Sequence, residues 1–171
     1  MQQLETVNDP AFKMARIDLN YDRTLELSAA IISICEQVAS SIRAGHTLIV
    51  LSDKDIAVDK VPANAIMVTG AVHHYLIAKG IRTDANLIIE TGLARDSHQV
   101  AVLIGFGATC VYPYLAYDVI DDLVATGELL GDPIQARVNF RKGLDKGLLK
   151  ILSKMGISTI VSYRGAQLFE A

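Results

Sequence analysis

Residues 47–53 read Thr47-Leu48-Ile49-Val50-Leu51-Ser52-Asp53, five apolar or β-branched positions in unbroken succession followed by two polar ones. A short run without alternation suits a strand covered on both faces, the usual condition in a parallel sheet. Upstream, Leu27, Ile31, Ile34, Val38 and Ile42 recur at helical spacing and predict a helix over residues 24–43 that lies on a core and stops at Gly45. Residues 14–19 predict a short strand before it, with Asn20-Tyr21-Asp22 leading into the helix.

Downstream the unit repeats. Pro62 suits the first turn of a helix over residues 63–79 ended by Gly80, and Asn86-Leu87-Ile88-Ile89-Glu90 restates the buried-strand pattern. Asp96 suits the N-cap of a helix running to about residue 104, Gly105-Phe106-Gly107 breaks it, and residues 109–112 predict a strand closed by Pro113. A helix over 116–125, a loop around 127–131, a long helix over 133–155 stopped by Gly156, a last strand over 158–161 and a helix opening near Gly165 complete the pattern. Alternating short strands and helices predict an α/β chain of repeated βα units, forming an incomplete, rudimentary (β/α)8-type barrel or a parallel sheet. No linker rich in Pro, Gly or Ser divides it, so residues 1–171 are expected to be one domain. The last helix, cut at Ala171, suggests a piece of a longer polypeptide.

The 171 residues are 51% hydrophobic and 20% charged, with a net charge of −3. A mean hydropathy of +0.32 and a pI near 5.8 exclude a disordered chain and disfavour a general nucleic-acid binder. Cys35 and Cys110 are far apart and form no CxxC pair, which fits a reducing compartment and encodes neither a disulfide scaffold nor a cysteine-rich metal site. The polar, acidic start does not read as a secretory leader. Residues 97–117 carry no Asp, Glu, Lys or Arg, but His98, Gln99, Gly105, Gly107 and Pro113 within them argue for a helix and a strand rather than a membrane span.

In parallel βα architectures chemistry gathers at the carboxyl ends of strands. There the sequence places Ser52 and Asp53, Glu90 and Thr91, Tyr112 and Tyr114, and Ser162, Tyr163 and Arg164, which would share one rim if the strands are parallel neighbours. Such a rim either binds a polar ligand or simply caps helices and holds loops. Glu90, following four residues Asn86 to Ile89 into a buried position, needs a cation, for which Arg95 and Arg164 are the candidates. His73 and His74 are adjacent on a helix and diverge, so gripping one metal with His98 would require convergence from elsewhere. Gly105 and Gly107 follow a helix, the reverse of dinucleotide-binding order, and Gly92 has the right polarity for an anion but faces Asp96.

The helix over 133–155 carries Arg137, Arg141, Lys142, Lys146, Lys150 and Lys154 against Asp145 alone, a local +5 that leaves −8 for the remainder. The stripe is read as a solvated or intramolecular docking face, with nucleic-acid contact as the alternative. Gly143 and Gly147 thin the helix and permit another backbone to approach. No GxSxG, P-loop, HExxH or Cys-His arrangement is present.

Several segments resemble the central domain of the glutamate synthase large chain. They are Leu48-Ile49-Val50-Leu51-Ser52-Asp53, Ala71-Val72-His73-His74-Tyr75-Leu76, Glu90-Thr91-Gly92, and Val102-Leu103-Ile104-Gly105-Phe106-Gly107-Ala108 leading into Tyr112-Pro113-Tyr114-Leu115-Ala116. The most specific are Lys146-Gly147-Leu148-Leu149-Lys150 and Ser153-Lys154-Met155-Gly156-Ile157-Ser158, running on to Ser162-Tyr163-Arg164-Gly165-Ala166-Gln167-Leu168-Phe169-Glu170-Ala171.

The resemblance implies part of an enzyme that transfers the amide nitrogen of glutamine to 2-oxoglutarate, giving two glutamates, with FMN and an iron-sulfur cluster delivering electrons. By the same resemblance this segment is the second half of the central domain, with residues 157–171 leading into the FMN-binding domain. It is expected to be a scaffold between the amidotransferase and FMN-binding domains that helps wall an ammonia passage, with no catalytic, cofactor-binding or metal residue of its own. Asp53, His73, His74, Glu90, Tyr112, Tyr114, Lys154, Ser162, Tyr163, Arg164 and Gln167 are the candidate passage-lining or domain-contact residues. FMN and the cluster are expected outside this segment. The expected partners are the two neighbouring domains and a second copy through uncovered apolar surface, with no nucleic acid and no membrane. The expected location is the cytoplasm, or the plastid in a plant. The alternative is a free-standing βα domain or enzyme that binds a small molecule through Asp53, Glu90 and Tyr163.

Overall fold

The computed structural model describes residues 9–169. Its strands are β1 (Met14–Asp18), β2 (Asn20–Asp22), β3 (Leu48–Ser52), β4 (Lys60–Pro62), β5 (Asn86–Glu90) and β6 (Cys110–Tyr112). Its helices are α1 (Leu27–Arg43), α2 (Ala65–Ala78), α3 (Ser97–Gly105), α4 (Tyr114–Ala125), α5 (Pro133–Lys154) and the short α6 (Ile160–Tyr163). One sheet has four parallel strands in the order β1-β3-β5-β6. Each crossover therefore advances one strand in the same direction, as in a (β/α)8 barrel, but among the described residues the sheet has four strands and does not close.

Register divides the strands into two faces. Ile17, Ile49, Leu51, Leu87 and Ile89 join Ile34, Val38, Val68, Val72, Leu76 and Leu103 from α1, α2 and α3 in the main core. Covering a side chain of this size completely contributes about 1.5–3 kcal/mol. The alternate positions form a smaller cluster of Leu48, Val50 and Ile88, against which Met14 packs. At the carboxyl edge the same register aligns Asp18, Ser52, Glu90 and Tyr112 across all four strands.

Helix starts follow the expected chemistry. Asp96 Oδ1 accepts from the Gln99 amide at 2.8 Å and Asp132 Oδ2 from that of Gln135 at 2.8 Å. At α2 the cap is Asn64, whose Oδ1 accepts from Ile66 at 3.0 Å. Pro62 accordingly does not open that helix; it ends β4, which pairs antiparallel with β2 as Asn20↔Pro62, Tyr21↔Val61 and Asp22↔Lys60. This ribbon is held to β1 by Lys60 Nζ and Asp18 Oδ2 at 2.9 Å. Burial works to raise the Asp18 pKa, but the Asn20 amide, Lys60 and the Asn20 side chain outweigh it and hold the carboxyl below its ordinary value.

Two expectations near the carboxyl terminus are corrected. Residues 158–161 are not a strand: Thr159 caps the short helix α6, and Ile160 and Val161 are exposed, so their β-branching has no sheet to join. No helix follows Gly165 through residue 169, because Gly165 at φ 69 turns the chain and its amide donates back to the Ile104 carbonyl at 3.3 Å. The basic helix α5 crosses α3 closely. A Cβ on Gly147 would collide with Ser97, whereas Gly143 has open space around it.

Candidate functional site

The carboxyl edge of the sheet brings together part of the expected rim. Glu90, 1% exposed, is met by the Arg16 guanidinium, and Ser52 Oγ donates to its Oε2 at 2.7 Å. The cation is therefore Arg16, reaching across β3, and neither Arg95 nor Arg164. Asp53 accepts from Thr91 Oγ1 and, at 3.0 Å, from the Gly92 amide. Tyr114 lies beside it with Lys54 Nζ 5.6 Å over the ring. Burial first, then the Asp53 carboxylate, pushes the Tyr114 hydroxyl up to about 12. Tyr112 turns aside, its ring 5.5 Å from that of Tyr117.

This network is closed on itself: each carboxylate has a donor or cation within the fold. Beside it, Asp53, Ile56, Asn64, Leu93, Tyr114 and Leu115 line an apolar groove of about 320 Å³.

Ser162, Tyr163 and Arg164 do not join that rim, because α6 replaces the expected strand. They lie at the opposite, amino-terminal end of the sheet. Arg164 Nη1 donates to Thr109 Oγ1, just before β6, at 3.3 Å. Tyr163 is fully buried in the main core, and its hydroxyl has no partner among the described residues. Ser162 Oγ pairs with Thr159 Oγ1 at 2.9 Å. The grouping of Asp53, Glu90 and Tyr163 into one site is thus overturned by their separation.

His73 lies at this second end. Arg82 Nε donates to its Nδ1 at 2.9 Å, while the same guanidinium donates to the carbonyls of Ala85 at 2.9 Å and Gly107 at 2.8 Å. Because a guanidinium can only donate, Nδ1 must be the acceptor and the proton sits on Nε2. Burial, Arg82, His74 and Arg164 push the His73 pKa down to about 4, so the ring is neutral at pH 7. His73 and His74, with Gly105, Phe106, Gly165, Gln167 and Phe169, line a cavity of about 340 Å³. Gln167 adopts φ 54, an uncommon conformation for a residue with a side chain.

The remaining candidates stay apart. The rings of His73 and His74 are 5.3 Å apart and edge-on, and His98 packs against Phe169. Among the described residues no cluster of three or more metal-ligating side chains forms. Cys35 is buried and burial raises its pKa. Lys142, Lys146, Lys150 and Lys154 are exposed along α5, and Arg137 pairs with Asp121 of α4. No helix among the described residues is long and apolar enough to cross a membrane.

Arg16, Arg82 and Thr109 were not singled out by the sequence. Arg16 carries a signal in the sequence, as the one basic residue inside the predicted strand over 14–19. Arg82 sits in a one-turn segment, Arg82–Asp84, with no periodicity to mark it.

The sequence profile of the family described as glutamate synthase central domain matches residues 1–171. The NADH glutamate synthase of Schizosaccharomyces pombe is 39% identical over 167 residues, which is 95% of this chain and 8% of that protein. The large chain of the NADPH glutamate synthase of Bacillus subtilis is 38% identical over 168 residues, 98% of this chain and 11% of the relative. The chloroplastic ferredoxin-dependent glutamate synthase of Spinacia oleracea is 38% identical over 180 aligned residues, 96% of this chain and 11% of that protein. The chain spans about a tenth of the length of these curated relatives. A match over its whole length, on a four-stranded parallel βα sheet, shows that the chain belongs to the glutamate synthase central domain family.

Proposed function

We propose that this chain works as a central-domain segment of a glutamate synthase, joining the domain that releases ammonia from glutamine to the one that adds it to 2-oxoglutarate. The full-length family match carries this reading. Residues 1–171 act as one structural unit, with 157–171 leading toward the FMN-binding domain. The unit supplies a wall for the ammonia passage and contact surface for both neighbours, and the catalytic groups belong to the remaining nine-tenths of the relatives' length.

The geometry supports a scaffold role. Arg16, Ser52, Glu90, Asp53 and Thr91 satisfy one another, so the carboxyl edge is built for rigidity. The residues do not fit the family's cofactors. A flavin phosphate at this edge would meet Asp53 and Glu90, and an iron-sulfur cluster would need more thiolates than Cys35 and Cys110 provide. Asp53, Glu90, Tyr112 and Tyr114 are proposed as supports of one face. His73, His74, Lys154, Ser162, Arg164 and Gln167 are proposed contact residues at the other end, with Tyr163 anchoring them.

The test has two arms. The chain is titrated with FMN, glutamine and 2-oxoglutarate while its thermal stability is followed; a ligand at one hundred times its Kd stabilises by about 2.7 kcal/mol. No shift is expected, and clear stabilisation by FMN or 2-oxoglutarate overturns the scaffold reading. In a complete glutamate synthase carrying this segment, the Arg164→Gln variant is expected to consume more glutamine than 2-oxoglutarate, as ammonia escapes at a loosened junction. Consumption that stays one to one removes the passage role.

A further inference from the structure

The cavity at the amino-terminal end of the sheet, among the proposed contact residues, has the chemistry of a binding site in its own right. Its walls come from three places: His73 and His74 on α2, Gly105 and Phe106 at the end of α3, and Gly165, Gln167 and Phe169 on the returning chain. His73 is 9% exposed, and with Nδ1 taken by Arg82 its Nε2–H is a fixed donor. That donor has no partner among the described residues and faces the returning chain: a Cβ on Gly165 would stand 2.6 Å from Nε2. Gly107 packs against the other side of the ring, where a Cβ would overlap Nδ1. Two glycines with positive φ, 117 and 69, thus frame one imidazole.

The field in this cavity is cationic. Arg82 spends its donors on a ring nitrogen and two carbonyls, all neutral acceptors, so its charge is not cancelled by a carboxylate among the described residues. Arg164 is close enough to lower the pKa of both His73 and Arg82, and its own hydrogen bond goes to the neutral Thr109 hydroxyl. His74 on the neighbouring position acts in the same direction, and no acidic side chain is among the causes of the His73 shift. The Gln167 side chain lines the same space and can donate from its amide. A half-buried pair of guanidinium groups beside a fixed N–H donor is the arrangement that recognises an oxyanion.

We propose that the cavity bounded by His73, Gly165 and Gln167, with Arg164 beside it, binds a small oxyanion, a carboxylate or phosphoryl group, which accepts from His73 Nε2. The site is independent of the glutamate synthase reading, since it rests on this chain's own geometry. Neutral His73 binds as donor, and a bound anion then makes protonation of the ring easier.

The experiment uses the full chain with nitrogen-15 labelled histidine, titrated at pH 7 with sodium phosphate, sodium acetate or sodium chloride at constant ionic strength. Phosphate or acetate is expected to move the His73 ring signals saturably, with the His73 pKa rising from about 4 toward its ordinary 6.5. Saturation by acetate alone assigns a carboxylate ligand, and saturation by phosphate alone a phosphoryl ligand. Arg164→Gln is expected to weaken binding several-fold, by removing a positive charge beside His73. Calorimetry with His73→Phe should show no binding. Shifts equal to those of chloride, or undiminished in Arg164→Gln, overturn the site. So does a His73 signal that ignores both anions but moves in Glu170→Gln, which would make the acceptor the chain's own.

Discussion

Arg16 and Glu90 stand 74 positions apart in sequence, two strands apart in the sheet, and share one ion pair above the intervening β3. Ser52 of β3 completes the bridge with its hydroxyl on the same carboxylate oxygen, Oε2. Three consecutive parallel strands are thereby tied at their carboxyl ends by side chains as well as by backbone. Glu90 is buried and Arg16 is partly open, so the arrangement depends on the cation more than the cation depends on it.

Removing the cation alone is therefore costly. Arg16→Leu is expected to lower stability by about 3 kcal/mol, because Glu90 keeps only the Ser52 hydroxyl in a buried position. The double variant Arg16→Leu, Glu90→Leu should recover most of that loss. Urea midpoints of the wild type, both single variants and the double variant check this, and a double variant no better than Arg16→Leu would contradict it.

The Asp53 carboxylate can be tested through its neighbour. Asp53→Asn keeps an acceptor for the Gly92 amide but removes the charge beside Tyr114, whose pKa should fall from about 12 toward 10. Tyrosinate absorbance during an alkaline titration reports the change. An unaltered Tyr114 titration would mean that burial alone accounts for the shift.

Stability should depend on pH through His73. Its folded pKa of about 4 lies below the ordinary 6.5, so between those values the unfolded chain binds more protons. Stability from this group is then complete above pH 6.5 and is lost as the pH falls toward 4. The chain is expected to lose about 2 kcal/mol from this source between pH 7 and pH 5. In His73→Gln that part of the decline should vanish, as read from urea unfolding at the two pH values. An equal decline in wild type and variant would place the sensitivity elsewhere.

The two glycines of α5 predict opposite outcomes. Gly143→Ala adds a Cβ in open space and should stabilise by about 0.5–1 kcal/mol by favouring the helix. Gly147→Ala drives a Cβ into Ser97 and should cost about 1–3 kcal/mol, partly relieved by Ser97→Gly. Thermal unfolding of the four proteins distinguishes the close crossing from simple helix propensity.

Much of the architecture was legible because its strands are buried. Leu48–Leu51 and Leu87–Ile89 carry continuous apolar runs, and Asp96, Gly45 and Gly80 punctuate the helices where expected. The β2–β4 ribbon was not, since three residues per strand hold less than two full periods of alternation. Residues 158–161 misled by composition. Ile157 to Val161 is rich in β-branched residues, yet with Ile160 and Val161 exposed nothing selects a strand there. That single element moved Ser162, Tyr163 and Arg164 from one end of the sheet to the other. The identity of Glu90's cation was equally hidden, because it depends on register between β1 and β5, which only the assembled sheet defines.

The returning chain enters the body through Gly165 to Ile104 and Arg164 to Thr109, both at the amino end of the sheet. The consequence is mechanical. A displacement of residues 165–169 is delivered to the last turn of α3 and the residue just before β6, while the Arg16–Glu90–Ser52 and Asp53–Thr91 ties lie one strand length away. The ties are thus remote from the returning segment, so a displacement of residues 165–169 strains one end of the body without loosening the other.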